Sequence, residues 1–196
     1  MGQDVHREFL VQRYIHILGV WNKKVNLVQP DSLKQVMDRH VRDSKQLCGY
    51  IKVNSEIVDV GSGAGFPGVI LSIYGYQNVT LCENNFKKVM FLNDIKRQLN
   101  LNFNIFNDDV YNFSSVQNAP CASRDFVVVS RAFGALSKLM GVMVRIGILR
   151  AVLHKGKGCL SELTDASRSF KFRFQLRRSI TSSDGVIVLL NDVMKV

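Results

Sequence analysis

The feature that most constrains the fold of this chain is a short apolar run followed by a cluster of glycines. Residues 57–60 read Ile-Val-Asp-Val, a pattern typical of a buried strand, and four glycines follow between residues 61 and 68. Pro67 stands where a helix would begin, and proline suits that position because the N–H group it lacks would have no partner there. Glycines allow positive φ and close approach to a ligand, while a helix N-terminus offers free N–H groups. The stretch predicts a strand, a glycine turn and a helix around a ligand.

An acidic residue follows the next apolar run at the spacing expected of a nucleoside-binding site. Val79–Cys82 reads as a second strand and ends at Glu83, about twenty residues beyond the glycines. An acid at this spacing can accept hydrogen bonds from both ribose hydroxyls of an adenosine-containing cofactor. The unit therefore predicts a nucleoside-cofactor site, and its alternative is a tight turn in an ordinary α/β domain.

The glycine pattern by itself leaves two cofactors open. Residues 63–68 satisfy the dinucleotide pattern G-x-G-x-x-G, which would indicate an NAD(P)-binding oxidoreductase. Residues 59–65 also fit the acid-x-G-x-G-x-G loop of S-adenosylmethionine (SAM) methyltransferases. In that loop Asp59 is placed either to order the backbone or to meet the amino end of methionine. The rest of the chain has to decide between the two.

The charge balance points to a polyanionic partner. Twenty-six Lys and Arg against 16 Asp and Glu leave a net charge of +10, which favours a nucleic acid, with simple solubility as the alternative. The chain could then be an enzyme acting on RNA or a non-catalytic RNA-binding protein.

The cysteines and the apolar stretches indicate the cellular compartment of the protein. Cys48, Cys82, Cys121 and Cys159 are widely spaced, which indicates free thiols of a reducing compartment rather than disulfides or a metal site. No signal peptide is evident, and charged residues interrupt the most apolar late stretch, residues 141–153, so we expect no membrane span. We therefore expect a cytoplasmic protein without a metal.

Periodicity predicts an α/β fold with an N-terminal helical cap. Two helices are expected before the first strand, over about residues 4–21 and from Asp31 onward, the second opened by a capping box of Ser32 and Gln35. Strands at 103–106, 125–129 and 151–154 alternate with helices at 86–99 and 134–149, and an antiparallel pair (170–177 with 186–190) closes the chain. Phenylalanines alternating with cations in 170–177 are expected to face the core. We divide the chain into a cap (1–50) and a core (51–196). A mostly parallel sheet with an antiparallel edge strand is typical of the Rossmann-like SAM methyltransferases, whereas a dinucleotide dehydrogenase would usually be longer and include a second substrate domain. The architecture therefore favours a SAM-methyltransferase core.

Several side chains are expected near the ends of these strands. Arg131 follows the fourth strand, where ligands bind in open α/β sheets, and a buried arginine needs an anion, a carboxylate or a base. Lys155 begins a Lys-Gly-Lys-Gly loop that either holds a phosphate or is a plain turn. The polar turn at 107–111 either flanks an adenine or is an ordinary loop. His40 falls on the buried face of the second helix, where a structural role and a functional one are both open.

The chain resembles the RsmG (GidB) family of 16S rRNA guanine-N7 methyltransferases over nearly its whole length, with a shortened N-terminus. The matching segments are Trp21-Asn22-Lys23 with Asn26-Leu27, Arg39-His40 with Asp43-Ser44, the loop 59–68, Ser130-Arg131-Ala132-Phe133, and Lys155-Gly156. The resemblance assigns these positions to SAM: Gly61, Gly63, Phe66, Glu83, Val110, Tyr111 and Arg131. It assigns these to the RNA side of the pocket: Lys23, Arg39, His40 and Lys155. Tyr111 stands where other members often carry an acid.

The resemblance implies an enzyme that methylates N7 of a guanine in 16S rRNA, as free RNA or in a small-subunit particle. We expect a monomer, because nothing in the sequence demands a larger assembly. N7 carries an in-plane lone pair and no proton, so the reaction needs alignment of the reactants rather than a general base. We therefore expect Arg131 to act by positioning the guanine edge or the methionine end. Lysines and arginines are expected to hold phosphates and an unstacked guanine.

Overall fold

The computed structural model describes residues 2–113, 125–131 and 133–196, and they form one seven-stranded sheet with helices on both faces. The strands are β1 (Glu56–Val60), β2 (Val79–Cys82), β3 (Asn104–Phe106), β4 (Phe126–Arg131), β5 (Ala151–Lys155), β6 (Phe170–Arg178) and β7 (Val186–Lys195). The α-helices are α1 (Gly2–Asn22), α2 (Pro30–Lys34), α3 (Asp43–Lys45), α4 (Gly68–Ile73), α5 (Phe86–Leu99), α6 (Leu136–Ile146) and α7 (Cys159–Ser167). Residues Met37–Arg42 form a π-helix, and Gln46–Gly49 and Val110–Asn112 are short 3₁₀ helices.

The strand order places a ligand crevice at the centre of the sheet. The order is β3-β2-β1-β4-β5-β7-β6, and the first five of these strands run parallel. β7 pairs antiparallel with both β5 and β6. The predicted mostly parallel sheet with an antiparallel edge is therefore confirmed. The chain reverses direction across the sheet between β1 and β4, and the crevice beyond the carboxyl ends of such strands is where ligands bind.

The core lies on both faces of the sheet because successive side chains of a strand point to opposite sides. Ile57 packs into a cluster with Tyr14 and Phe91, which brings α1, α4 and α5 together on one face. Val58, the next residue, packs into the opposite cluster with Leu139, beneath α6 and α7. Parallel strands covered on both faces are continuously apolar, which is why the short run in β1 was readable from the sequence.

The N-terminal helices share this core. The first helix is confirmed as α1, whose buried side chains contribute to the same cluster as β1. The predicted capping box is wrong: Gln29 caps α2 and makes no side-chain cap hydrogen bond. Ser32 is instead buried against His40, so its hydroxyl is used by a tertiary contact. The division into cap and core at residue 50 stays an interpretation.

The C-terminal region differs from expectation in two ways. The strands β6 and β7 pair as predicted, but the helix α7 that precedes them was not predicted. Phe170 is buried, whereas Phe174 is 47% exposed, so the expectation that these phenylalanines all face the core is wrong. On this outermost strand a side chain is buried only where other elements cover it: Phe170 belongs to the cluster beneath α6 and α7, and Phe174 does not.

Two further expectations concern the loop after β3 and a membrane span. The loop expected over residues 112–124 lies almost wholly outside the described residues, as does Cys121. In the ranges that the structure describes, no helix is long and apolar enough to cross a membrane.

Candidate active site

The glycine loop is ordered by the acid that precedes it. Asp59 is fully buried at the end of β1, and its Oδ2 accepts a hydrogen bond of 2.9 Å from the backbone N–H of Gly68. A Cβ atom at Gly68 would lie 2.2 Å from Leu81 Cδ2 and 2.7 Å from Asp59 Oδ2, so only glycine fits. Burial raises the pKa of Asp59 to about 7. The structure thus gives Asp59 the first of its two predicted roles, that of ordering the loop.

The acid at the end of β2 holds the other side of the loop. Glu83 is buried, and its Oε2 accepts from the N–H of Gly63 at 2.9 Å. Its Oε1 accepts from the N–H of Asn85 at 2.8 Å, at the start of α5. A carboxylate offers about four lone-pair sites, so two bonds to the backbone leave acceptor capacity for a ligand. The spacing of about twenty residues read from the sequence therefore corresponds to a direct contact between loop and acid.

A first cavity of about 120 Å³ opens beside Glu83. It is lined by Gly61, Val110, Tyr111 and Phe133 among others. Gly61 has a φ of +72°, and a Cβ there would lie 2.8 Å from the ring of Phe133, so the loop passes close over this ring. Val110 is buried and Tyr111 is 39% exposed at the rim. The arrangement offers a carboxylate and an apolar floor, which suits a ribose and a flat base.

A second cavity, of about 390 Å³, lies on the other side of Gly61. Phe66 forms one wall, with the ring of His40 stacked on it at 4.9 Å between centroids. The Arg131 guanidinium lies 5.8 Å from the Phe66 ring centroid. Burial, with a further contribution from Arg131, lowers the pKa of His40 to about 4, so the imidazole is neutral at pH 7. Its Nε2 contacts the Ser32 hydroxyl, and its Nδ1 has no hydrogen-bond partner within the described chain.

Arg131 stands at the carboxyl end of β4, between this cavity and the next one. Its Nε is 3.9 Å from Asp43 Oδ2, and its Nη1 is buried without a hydrogen-bond partner in the described ranges. Burial lowers the pKa of Arg131, and Asp43 opposes this effect. An unpartnered buried guanidinium nitrogen is costly, and it is satisfied when an acceptor enters the cavity.

A third cavity, of about 670 Å³, continues from Arg39 and Arg131 towards the end of β5. Lys155 lines it, but its Nζ donates to Glu162 at 2.8 Å and to the carbonyl oxygen of Gly134 at 3.1 Å. The lysine is therefore held in place rather than extended into solvent. The three cavities meet at shared residues, Gly61 and then the two arginines, and form one cleft along the carboxyl ends of β2, β1, β4 and β5.

Asp43 joins the parts of this cleft, and sequence reasoning did not assign it a role. Its Oδ1 accepts from Thr181 Oγ1 at 2.7 Å and from Gln46 Nε2 at 2.7 Å. His154 Nε2 lies 2.6 Å from the Asp43 carbonyl oxygen and 3.5 Å from its Oδ1. Asp43 belongs to the segment Arg39-His40…Asp43-Ser44, one of those that carry the family resemblance, and this was the signal that could have found it. In the structure Asp43 directly follows the π-helix Met37–Arg42.

Most residues expected at the site lie along the cleft. The members that line one of its three cavities are Gly61, Gly63, Phe66, Glu83, Val110, Tyr111, Arg131, Arg39, His40 and Lys155. Lys23 does not: it is exposed in a separate recess of about 340 Å³ with Pro30, Leu33 and Lys34. Among the described residues, no three His, Cys, Asp or Glu side chains come together as a metal site would require.

Comparison with known proteins agrees with this geometry. Residues 7–186 match the GidB family, described as rRNA small subunit methyltransferase G. The chain belongs to this family. A relative from Rickettsia bellii, named ribosomal RNA small subunit methyltransferase G, is 32% identical over 197 residues and covers 98% of both chains. The sequence-based prediction of an rRNA methyltransferase is therefore confirmed.

Solved structures support the fold at lower identity. A TehB-like SAM-dependent methyltransferase from Corynebacterium glutamicum superposes with a TM-score of 0.56 at 15% identity, covering 96% of this chain and 99% of the other. M. jannaschii TYW2, solved in complex with AdoMet, gives a TM-score of 0.56 at 14% identity, covering 80% of this chain and 76% of the other. Both likenesses support the fold described above.

Proposed function

We propose that this enzyme transfers the methyl group of SAM to N7 of a guanine in 16S rRNA. The observation that carries the proposal is the continuous cleft: the glycine loop and Glu83 lie at one end, and Arg39, Arg131 and Lys155 at the other. Membership in a family of small-subunit rRNA methyltransferases supports a ribosomal RNA substrate and does not favour a dinucleotide oxidoreductase or a non-catalytic RNA-binding protein.

The cofactor is S-adenosylmethionine, which supplies an electrophilic methyl group on a sulfonium ion. The residues present fit it. Glu83 retains acceptor capacity for ribose hydroxyls, and Gly61 and Phe133 line the same cavity, which would take the adenine. Val110 and Tyr111 border the same cavity. The second cavity, reached past Gly61, would take the methionine end and the acceptor base.

The lining of the second cavity fits an acceptor that has no proton to lose. No Asp or Glu is among the described residues that line it, and His40 is neutral with its Nε2 engaged by Ser32. A strong general base is therefore absent from the described lining, as expected for attack by a ring nitrogen lone pair. The free Nη1 of Arg131 is a donor for an acceptor atom of the guanine edge or of the methionine carboxylate. Holding the two reactants in line then supplies the main part of the catalysis.

The RNA side is formed by cations at the cleft mouth. Arg39 is exposed between the second and third cavities and is free to reach a phosphate. Lys155 supports this region from beneath through its contacts with Glu162 and Gly134. Lys23 would contact RNA outside the cleft, given its separate recess. A monomer suffices for this scheme because one chain supplies every residue it uses.

The decisive experiment is transfer of labelled methyl groups from SAM to 16S rRNA taken from cells that lack the enzyme. We expect label at a guanine N7, located by chemical cleavage at 7-methylguanine. Glu83→Ala should weaken SAM binding by about 1–3 kcal/mol in calorimetry, because hydrogen bonds to the ribose and to the loop are lost. Arg131→Ala should lower SAM affinity or transfer rate. Label on another atom, unchanged behaviour of both variants, or tighter binding of NADH than of SAM would contradict the proposal.

A further inference from the structure

The outer strand of the sheet is strongly basic. β6 reads Phe-Lys-Phe-Arg-Phe-Gln-Leu-Arg-Arg, with four cations and no acid in nine residues. It pairs with β7 on one side, and its other side is the free edge of the sheet. Charges on an edge strand can serve simply to prevent pairing with another chain. The contacts of these cations within the protein show how many of them remain available to an anionic partner.

Most of the charge on β6 is not neutralised by the protein. Arg173 is paired with Asp192 of β7. Lys171, Arg177 and Arg178 are exposed and form no ion pair with any described residue. Arg177 donates only to Gln175 Oε1 and to the carbonyl oxygen of Leu176. Lys171 and Arg177 point to one face of the sheet and Arg178 to the other, so these free cations lie along both sides of its edge and are available to an anionic partner.

An exposed aromatic ring lies on the face of β6 that also carries Arg178, opposite Lys171 and Arg177. Phe174 is 47% exposed, and its ring lies 6.1 Å from that of Phe172, tilted by 50°. Phe172 packs against the core cluster below α6 and α7, so it supports Phe174 from one side. A cation and an accessible aromatic ring on one face of a strand can hold a phosphate and stack an unpaired base, and the cations of the other face lie along the same edge.

The strand β6 is continuous with the cleft. Arg178 is followed directly by Ser179, and Thr181 comes two residues later; both line the third cavity. This loop is fixed to the cap: Thr181 Oγ1 donates to Asp43, and Ile180 N donates to Gln46 Oε1 at 3.1 Å. Nine residues at about 3.3 Å each span roughly 30 Å, so β6 extends well beyond the room needed by one nucleotide.

We propose that β6 binds the rRNA that flanks the methylated guanine. Lys171, Arg177 and Arg178 neutralise its phosphates, and Phe174 stacks on an unpaired base. This inference rests on the proposed function for the identity of the RNA. It adds a second contact surface, outside the cleft, that orients the substrate as it enters.

The test compares RNA affinity at several salt concentrations, measured by fluorescence anisotropy with a labelled 16S rRNA fragment. For Arg177→Gln/Arg178→Gln, the slope of log K against log salt should become shallower by about 1.4, at about 0.7 for each lost phosphate contact to single-stranded RNA. At 1 M salt these phosphate contacts contribute nothing, so the variant and the wild type should bind equally there. A slope difference of about 1.4 over the tenfold range down to 0.1 M then makes the variant bind roughly 25-fold more weakly at 0.1 M. Adding Lys171→Gln should reduce the slope further.

Two matched variants make the comparison specific. Arg13→Gln/Arg145→Gln also removes two exposed arginines that form no ion pair with described residues, and neither lines the cleft. It should keep the wild-type slope. Phe174→Leu should weaken binding about tenfold without changing the slope, because a ring carries no charge. In all variants SAM affinity should equal that of the wild type.

Several results would overturn the inference. These are an unchanged salt slope in the Arg177/Arg178 variant, an equal loss in the Arg13/Arg145 variant, or a dimer that pairs through the β6 edge and excludes RNA from it. The proposed function fails separately: if the wild-type protein binds the RNA but transfers no methyl group to it, the salt comparison still decides whether β6 binds RNA.

Discussion

Replacing Asp43 by asparagine tests the contacts through which Asp43 connects three elements of the cleft. Asp43 lies close to Arg131, His154 and Thr181, which belong to β4, β5 and the loop after β6. Asparagine keeps the size of the side chain and one carbonyl acceptor but removes the negative charge. The change therefore isolates the electrostatic hold on Arg131 from the packing of the segment.

The expected magnitude follows from the geometry of the pair. Two unit charges 3.9 Å apart attract each other by about 4 kcal/mol at an effective dielectric constant of 20. The side chains of Arg131 and Asp43 are 22% and 16% exposed, so water recovers part of this energy when the charge is removed. We expect a net loss of about 1–3 kcal/mol in transition-state stabilisation, which is roughly a 5- to 150-fold fall in kcat/KM for RNA.

Steady-state methyl transfer to 16S rRNA measures this loss, with a SAM titration to separate cofactor binding from the later steps. Thermal unfolding of the variant should be recorded as well, and the assay run well below its Tm. Asp31→Asn is the matched control, because Asp31 is 93% exposed in a pair with Lys34, and such pairs contribute little. Wild-type kcat/KM in Asp43→Asn, or an equal loss in Asp31→Asn, would refute the reasoning.

Further predictions concern the glycine loop and the titratable groups Asp59 and His40 near it. Gly68→Ala should lower the free energy of unfolding in urea by about 1–3 kcal/mol, because its Cβ would overlap Leu81 and Asp59. Gly141→Ala is the control: apart from the chain next to it in its own helix, no heavy atom would lie within 4 Å of its Cβ, and alanine in this helix should stabilise by about 0.5–1 kcal/mol. The pKa of Asp59 is raised to about 7, so its contribution to stability is lost as pH rises towards 7. The pKa of His40 is lowered to about 4, so its contribution is lost as pH falls from 6.5 to 4. On acidification from pH 6.5 to 4, Asp59→Asn should therefore lose stability more steeply than the wild type and His40→Gln less steeply, and parallel curves would contradict both pKa shifts.

The sequence by itself determined the parts of this protein that depend on neighbouring residues. The buried run of β1, the glycine turn and the helix after it were readable because strand periodicity and glycine conformations are local properties. Glu83 was predictable because a βαβ unit has a nearly constant length, which brings the end of β2 beside the loop after β1. Arg131 followed from the same rule applied to β4.

Tertiary structure alone determined which residues distant in sequence contact each other and which side chains are exposed. Ser32 fits a capping box in sequence, yet its hydroxyl is used by His40. Asp43 stands on a helix near the N-terminus, and its partners Arg131, His154 and Thr181 are distant in sequence. Phe174 follows a core-like alternation, but its exposure depends on β6 being the edge strand. These contacts and exposures are set by the packing of elements that lie far apart in the chain, and the local patterns around Ser32, Asp43 and Phe174 do not specify that packing.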